Sequence, residues 1–146
     1  METVETPSSS PRLWNPNVAA AWSLLLSVAF GSYILARNAE TLECREEAKE
    51  HWVYFYGSII LFAAVGVGGA FFPLLLDFPF DTIGFILIVV WYGLAARKQV
   101  TFVRETLKGA YVKKPWLRPV CIGLACLVAY GLVVGVLAAF VSPTAL

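Results

Sequence analysis

Charged side chains are scarce in this 146-residue chain. Asp, Glu, Lys and Arg together make up 14% of it, whereas soluble domains average about 25%. Hydrophobic residues account for 59%, above the roughly 45–50% that is usual for soluble domains. The formal net charge is only +1, which excludes a nucleic-acid binder that works by electrostatic attraction. The composition therefore predicts a chain that resides in a membrane.

Asp, Glu, Lys, Arg and His are missing altogether from four stretches, residues 13–36, 52–76, 82–96 and 119–146. A helix needs about 20 apolar residues to cross the hydrocarbon core, and the third stretch approaches this length when it is extended back to Phe78. The stretches are continuously apolar, unlike the alternating strands of a membrane barrel. We predict an all-α polytopic membrane protein, a single four-helix domain over residues 13–146 with spans at about 13–36, 52–76, 78–96 and 119–142.

The first twelve residues differ in composition from the rest of the chain. Two Glu and no Lys or Arg occur before Arg12, and a Pro-Ser-Ser-Ser-Pro run offers no apolar face to bury. A secretory signal begins with a positive region and a short apolar core, which this segment does not match. We expect residues 1–12 to form a disordered tail.

Lys and Arg are concentrated in two segments, residues 37–51 with three and residues 97–118 with seven. Short loops rich in Lys and Arg stay in the cytoplasm. With four spans both segments fall on that side, which predicts an integral inner-membrane protein. The same arrangement leaves both termini and the turn at Asp77–Asp81 outside.

Small residues four positions apart favour close approach of helices in lipid. Such rows occur in the first, second and fourth predicted spans, and we expect them to pack helices together: Ala19, Ser23, Ser27 and Gly31; Ala64 and Gly68; Gly131, Gly135 and Ala139. Packing within one bundle and packing between chains of a homo-oligomer are both open at this point.

Groups that commonly carry chemistry are few. The single His, His51, has no second ligand at a helical spacing, and the three Cys do not form a metal-binding pattern. Asp77 and Asp81 are placed to cap and solvate a turn. No carboxylate, amine or imidazole lies deep in a predicted span, where proton relays and ion pathways would need one. We therefore expect no enzyme activity, no metal site and no cofactor.

The two cytoplasmic segments carry opposite charge, −2 for residues 37–51 and +6 for residues 97–118. Apolar residues at helical spacing from Val100 to Ala110 predict a basic amphipathic cytoplasmic helix between the third and fourth spans. We expect it to contact anionic inner-leaflet lipids, the acidic segment or a partner protein. The residues expected to make these contacts are Arg97, Lys98, Arg104, Lys108, Lys113, Lys114, Trp116, Glu46 and Glu47. Of the basic residues, we expect Arg104 and Lys108 to face the acidic segment, and Arg97, Lys98, Lys113 and Lys114 to face lipid.

Two motifs carry a resemblance to a known group. Trp14-Asn15-Pro16-Asn17, followed by Ala20-Ala21-Trp22-Ser23, is one of them. The other runs from Trp91-Tyr92 through Gln99, Val103-Arg104-Glu105 and Tyr111 to Lys113-Lys114 and Trp116. Together they resemble a group of small bacterial inner-membrane proteins without an established activity. The resemblance implies a bacterial origin and supplies no catalytic or binding residue.

Three functions are compatible with these features. The one we favour is a non-enzymatic inner-membrane interaction protein, such as an immunity factor against a toxin or an accessory factor of another membrane protein. The alternative is a small oligomeric channel or solute transporter subunit, which the Gly-rich second span would serve. A lipid-acting enzyme using His51 or the Asp77/Asp81 pair is the least favoured, because no catalytic set accompanies them.

Overall fold

The computed structural model describes residues 10–72 and 80–141. These residues are helical except for one pair of two-residue strands and the connections. In chain order the elements are β1 (Arg12–Leu13), α1 (Pro16–Leu26), α2 (Val28–Thr41), α3 (Arg45–Phe71), α4 (Phe80–Trp91), a π-helical turn (Tyr92–Ala96), α5 (Arg97–Glu105), β2 (Val112–Lys113) and α6 (Leu117–Val141). Most of the predicted tail, and the predicted turn from Asp77 up to α4, lie outside the described residues.

Three helices in the described part are long and apolar enough to cross a membrane. They run over Arg45–Gly69, Gly84–Glu105 and Leu117–Val141, and they correspond to the second, third and fourth predicted spans. The helical membrane-type architecture is therefore confirmed. The predicted first span is not among the three, because its residues form two short helices.

Helices α1 and α2 fold back on each other as a hairpin. One continuous helix would separate Trp14 from Asn38 by about 36 Å. Instead, the Trp14 backbone N–H donates to Asn38 Oδ1 at 3.0 Å. The prediction of a single spanning helix over 13–36 is therefore wrong. Apolarity alone cannot distinguish one crossing helix from two half-length helices that return to the same side.

The turn of the hairpin is at Ser27, whose backbone has φ 97° and ψ 164°. Residues other than Gly avoid this region, at a cost of about 1–3 kcal/mol. Close packing across the turn offsets that cost: a Cβ added to Gly31 would overlap Ser23 Oγ and lie 2.5 Å from the Trp91 ring. Glycine at position 31 thus allows the two arms to touch.

The apex of the hairpin penetrates partway along the spans. A Cβ added to Gly123 would lie 2.9 Å from Phe30 and 3.0 Å from Leu26. Gly123 is about 9 Å along α6 from Leu117, whereas the hydrocarbon core is about 30 Å thick. The apex of the hairpin is therefore level with the first third of a membrane-spanning length of α6, and Leu24 and Leu25 next to it are exposed.

The strands β1 and β2 pair in parallel, with Arg12 opposite Val112 and Leu13 opposite Lys113. The sequence analysis placed the start of the first span and residues 97–118 on opposite sides of the membrane. Hydrogen-bonded strands cannot be separated by a bilayer, so this relative placement is wrong. The hairpin is the reason, since it brings Asn38 back beside Trp14 at the end of the molecule where the described chain starts.

Helix α5 continues α4 through the π-helical turn, so that Gly84–Glu105 is one helix. Val100 and Val103 are buried within the protein, where α5 contacts α1. The predicted amphipathic character is present, but the prediction of a separate helix is wrong, because α5 continues α4 and ends at Glu105. Val100 and Val103 of the predicted stripe cover the hairpin, whereas Leu107 and Ala110 lie beyond the helix.

Candidate functional site

A buried polar cluster lies where β1, α2 and α5 meet, and Asn38 is its centre. Its Oδ1 accepts from the Trp14 N–H. Its Nδ2 donates to Trp14 O at 2.7 Å and to Gln99 Oε1 at 3.3 Å. Gln99 Nε2 in turn donates to Leu35 O at 3.0 Å. Asn38 and Gln99 are fully buried. Two amide side chains thus satisfy backbone groups that the hairpin would otherwise leave without partners.

Trp14 extends this cluster to the segment after β2. Its indole Nε1 donates to Pro115 O at 3.0 Å, and Lys114 Nζ lies 4.3 Å from the centre of its ring. Burial lowers the pKa of Lys114, and the nearby Arg37 and Arg12 lower it further. A cation over an indole face is an attractive arrangement. Trp14 therefore clamps the N-terminal segment between α2 and the chain that leads into α6.

The cluster has a structural role and not an acid–base role, because a primary amide neither gains nor loses a proton near neutral pH. Sequence reasoning did not single out Asn38, which lies in the predicted acidic segment. Gln99 appeared only as one position of the second motif. Its signal was available: an uncharged amide on the apolar side of an otherwise charged helix indicates a buried hydrogen-bonding partner.

Three further buried polar atoms have no hydrogen-bond partner among the described residues: Ser32 Oγ, His51 Nδ1 and Trp91 Nε1. They belong to α2, to α3 and to the end of α4, which are neighbouring helices. His51 is 2% exposed, so its imidazole lies inside the protein. Groups of three His, Cys, Asp or Glu that are close enough to hold a metal ion are absent from the described residues.

The acidic and basic segments do contact each other, but through a different pair than expected. Lys98 Nζ lies 2.9 Å from Glu50 Oε2, between α5 and α3. Arg104 binds its neighbour Glu105, and Glu46 binds Lys49. The pairing of Arg104 with Glu46 or Glu47 is therefore not found. Arg104 lies on α5 beyond the point where α3 begins, whereas Lys98 lies level with Glu50.

The remaining predicted contact residues lie at the same end of the molecule. Arg97, Lys108 and Lys113 are exposed, and Trp116 is partly buried against the core. Arg104 and Lys108 line an open pocket of about 420 Å³ together with the start of α1 and Tyr111. This pocket brings two of the predicted basic contact residues into one concave site.

The three small-residue rows differ in how closely they are packed in the structure. Ser23 and Gly31 face each other across the hairpin turn, with Ala19 buried nearby and Ser27 at the turn itself. On α3, Ala64 is exposed and Gly68 half-buried, while the adjacent Gly66 lies against Tyr130 and Val134 of α6. A Cβ added to Gly131 or Gly135 would meet nothing within 4 Å, and Ala139 is exposed. The α6 row thus makes no close contact within the described part of the chain.

Comparisons with family models, with curated proteins and with solved structures find no match for this chain. Arguments about function therefore rest on the geometry described above.

Proposed function

We propose that the chain is a non-enzymatic protein of the bacterial inner membrane that binds another membrane protein. Its most concrete form is an immunity factor against a membrane-directed toxin, or an accessory factor of a larger membrane assembly. The observation that carries the proposal is the exposure of α6. None of the residues in its most apolar 18-residue window is buried.

Helix α6 is attached to the rest of the chain over only part of its surface. Tyr130 donates to Phe62 O at 2.8 Å, and Val134 lies against Gly66. The face with Gly131 and Gly135 is open, and small residues at this spacing let the backbones of two helices approach closely in lipid. A partner helix is a suitable occupant of such a face.

The polar residues support the non-enzymatic part of the proposal. The buried amides of Asn38 and Gln99 are engaged in holding the hairpin. Asp, Glu, Lys, Arg and His do not occur in the central parts of the three long apolar helices, so the usual general acids and bases are lacking there. The Lys and Arg residues are grouped at one end, where they suit membrane anchoring and recognition.

The orientation we propose differs from the four-span orientation that the sequence predicts. With three crossings and a re-entrant hairpin, all 11 Lys and Arg residues belong to segments at one end of the bundle. The positive-inside tendency assigns that end to the cytoplasm. The N-terminal segment is then cytoplasmic, together with residues 37–51 and 97–118, and the end of α6 is outside.

Accessibility of single cysteines tests this orientation. We expect a membrane-impermeant thiol reagent, applied to intact cells, to leave cysteines at Arg12, Arg45 and Lys108 unlabelled, in a background with the three native Cys replaced. A cysteine appended after Leu146 should be labelled. Labelling of all four after permeabilisation is the control. Labelling at Arg12 in intact cells would restore the four-span topology.

A photo-crosslinking experiment tests partner binding. A photoreactive residue at Leu132 of α6 should give one discrete adduct with another membrane protein in cells. The matched position is Val89 of α4, which is similarly exposed at 55% against 65% and should give none. An adduct of twice the chain mass would indicate a homo-oligomer. Lipid adducts alone at Leu132 would contradict the proposal.

A small channel or transporter subunit is the second candidate, because re-entrant hairpins can line a water-filled cavity. Irregular backbone at membrane depth is found where it is buried in protein or lines a water-filled cavity. Here the turn is packed against Trp91 and Gly123 is beside Leu26 and Phe30, which suits the buried case better. Solute or ion flux through liposomes containing the purified chain would support this alternative over the first.

A further inference from the structure

The pocket beside the start of α1 has a composition suited to an anion. Its volume is about 420 Å³, and it is open to the outside of the protein. One side is formed by Asn15, Pro16 and Asn17, and the other by α5 and the loop that follows it. Val100 and Val103 line its base but are nearly buried, and Arg104 and Lys108 supply two exposed cations.

The charges around this pocket favour an anion. The segment that contains its basic residues, 97–118, has seven Lys and Arg and a single acidic residue, Glu105. Glu105 binds Arg104 at 3.0 Å, but both side chains are more than 60% exposed. An exposed pair of this kind is held weakly, so the guanidinium can turn to a stronger acceptor. Phosphate is such an acceptor, since guanidinium binds it through two parallel hydrogen bonds.

The position of the pocket selects between sources of phosphate. It lies at the end of the molecule that carries every Lys and Arg, where the chain leaves the membrane. Anionic lipids are concentrated around basic segments next to a span. Pro16, Val100 and Val103 line the pocket but are almost fully buried, so the position beside the span, and not an apolar contact surface, favours a lipid headgroup over a free phosphate ion.

We propose that this pocket binds the headgroup of an anionic phospholipid, with Arg104 and Lys108 on its phosphate. Asn17 and Tyr111 line the same pocket and offer amide and hydroxyl groups to the glycerol or headgroup oxygens. The proposal depends on membrane insertion of the chain and not on the existence of a protein partner. It can therefore succeed or fail independently of the crosslinking experiment.

Lipid retention by the purified full-length chain tests the proposal. The chain in detergent is titrated with phosphatidylglycerol, and bound lipid is counted by native mass spectrometry. We expect Arg104→Gln/Lys108→Gln to weaken phosphatidylglycerol binding roughly tenfold to thirtyfold, because each cation near an anionic lipid contributes about 1 kcal/mol, a factor of about five. Phosphatidylcholine should bind weakly to both proteins.

Two matched variants separate a pocket from diffuse attraction. Arg45→Gln/Lys49→Gln removes the same charge from exposed positions outside the pocket and should change binding less than threefold. Asn17→Phe fills the pocket without changing charge and should weaken binding as strongly as the double basic variant. Unchanged thermal unfolding midpoints confirm that each variant is folded.

Three outcomes would overturn the proposal. Equal losses in the two charge variants would show general surface electrostatics. Full binding by Asn17→Phe would show that the lipid does not enter the pocket. Displacement of the lipid by millimolar inorganic phosphate would make the site one for a soluble phosphate and not for a headgroup.

Discussion

Gly31→Val should destabilise the protein more than any other single substitution that we consider. The new Cβ would overlap Ser23 Oγ and lie 2.5 Å from the Trp91 ring. Trp91 is fully buried, and Ser23 is held by its hydrogen bond to Ala19 O, so neither can move away cheaply. Overpacking at such a site costs about 3 kcal/mol. We expect a clear fall in the thermal unfolding midpoint in detergent, measured by circular dichroism.

The matched control for this substitution is Gly135→Val. Both glycines lie within helices, so the change in helix propensity is the same, but a Cβ at Gly135 would meet nothing within 4 Å. We expect the Gly135 variant to unfold at the temperature of the unmodified chain. Similar losses of stability in the two variants would contradict this expectation. Either the hairpin contact is not formed, or α6 packs against protein and not against detergent. The expectation from the sequence that Gly135 packs closely against another helix would then be supported.

Asn38→Ala should have the second largest effect, because one amide makes three hydrogen bonds that join α2 to the segment at Trp14 and to α5. Its removal leaves Trp14 N–H and Trp14 O without their partner and frees Gln99 Oε1. Each buried group left unsatisfied costs about 1–3 kcal/mol, so we expect a loss of about 2–4 kcal/mol. The N-terminal segment should also detach, and a cysteine at the fully buried Leu13 should react faster with a thiol reagent.

Two variants make this prediction specific. Asn17→Ala removes an exposed Asn and should leave both stability and Leu13 accessibility unchanged. Asn38→Asp keeps the shape but turns a carboxylate toward two acceptor oxygens, Trp14 O and Gln99 Oε1. It should be destabilising at neutral pH and regain stability as pH falls, since a protonated carboxyl can donate again. Equal stability of Asn38→Asp at pH 4 and pH 7 would argue against the observed bonding of the Asn38 amide.

The apolar stretches show where sequence reasoning works and where it stops. The runs within α3 and α6 are long and continuous, so their length alone predicts spanning helices. The run over residues 13–36 has the same length and composition, yet it folds as two helices. The difference lies in contacts that are remote in sequence: Asn38 with Trp14, and Gly31 with Ser23 and Trp91. Hydropathy averages over a window and carries no information about such contacts.

The candidate sites show the same limit on a smaller scale. The charge of residues 97–118 and the apolar stripe from Val100 to Val103 are visible in the sequence, and both are present in the structure. What the stripe faces is not visible, because lipid and the hairpin are equally apolar. Similarly, opposite net charges indicate that the two segments attract each other. The pairing of Glu50 with Lys98 depends on which residues of α3 and α5 lie at the same level along the two helices.

The sequence by itself determined that this is a helical chain of membrane type, with its basic residues grouped in a few segments. These properties are sums over many residues, so no single contact can reverse them. Only the tertiary structure decided the number of long apolar helices, the pairing of the N-terminal segment with β2 and the pocket that unites Arg104 with the start of α1. Those features depend on a few hydrogen bonds and one glycine contact, and they become defined only when distant segments of the chain meet.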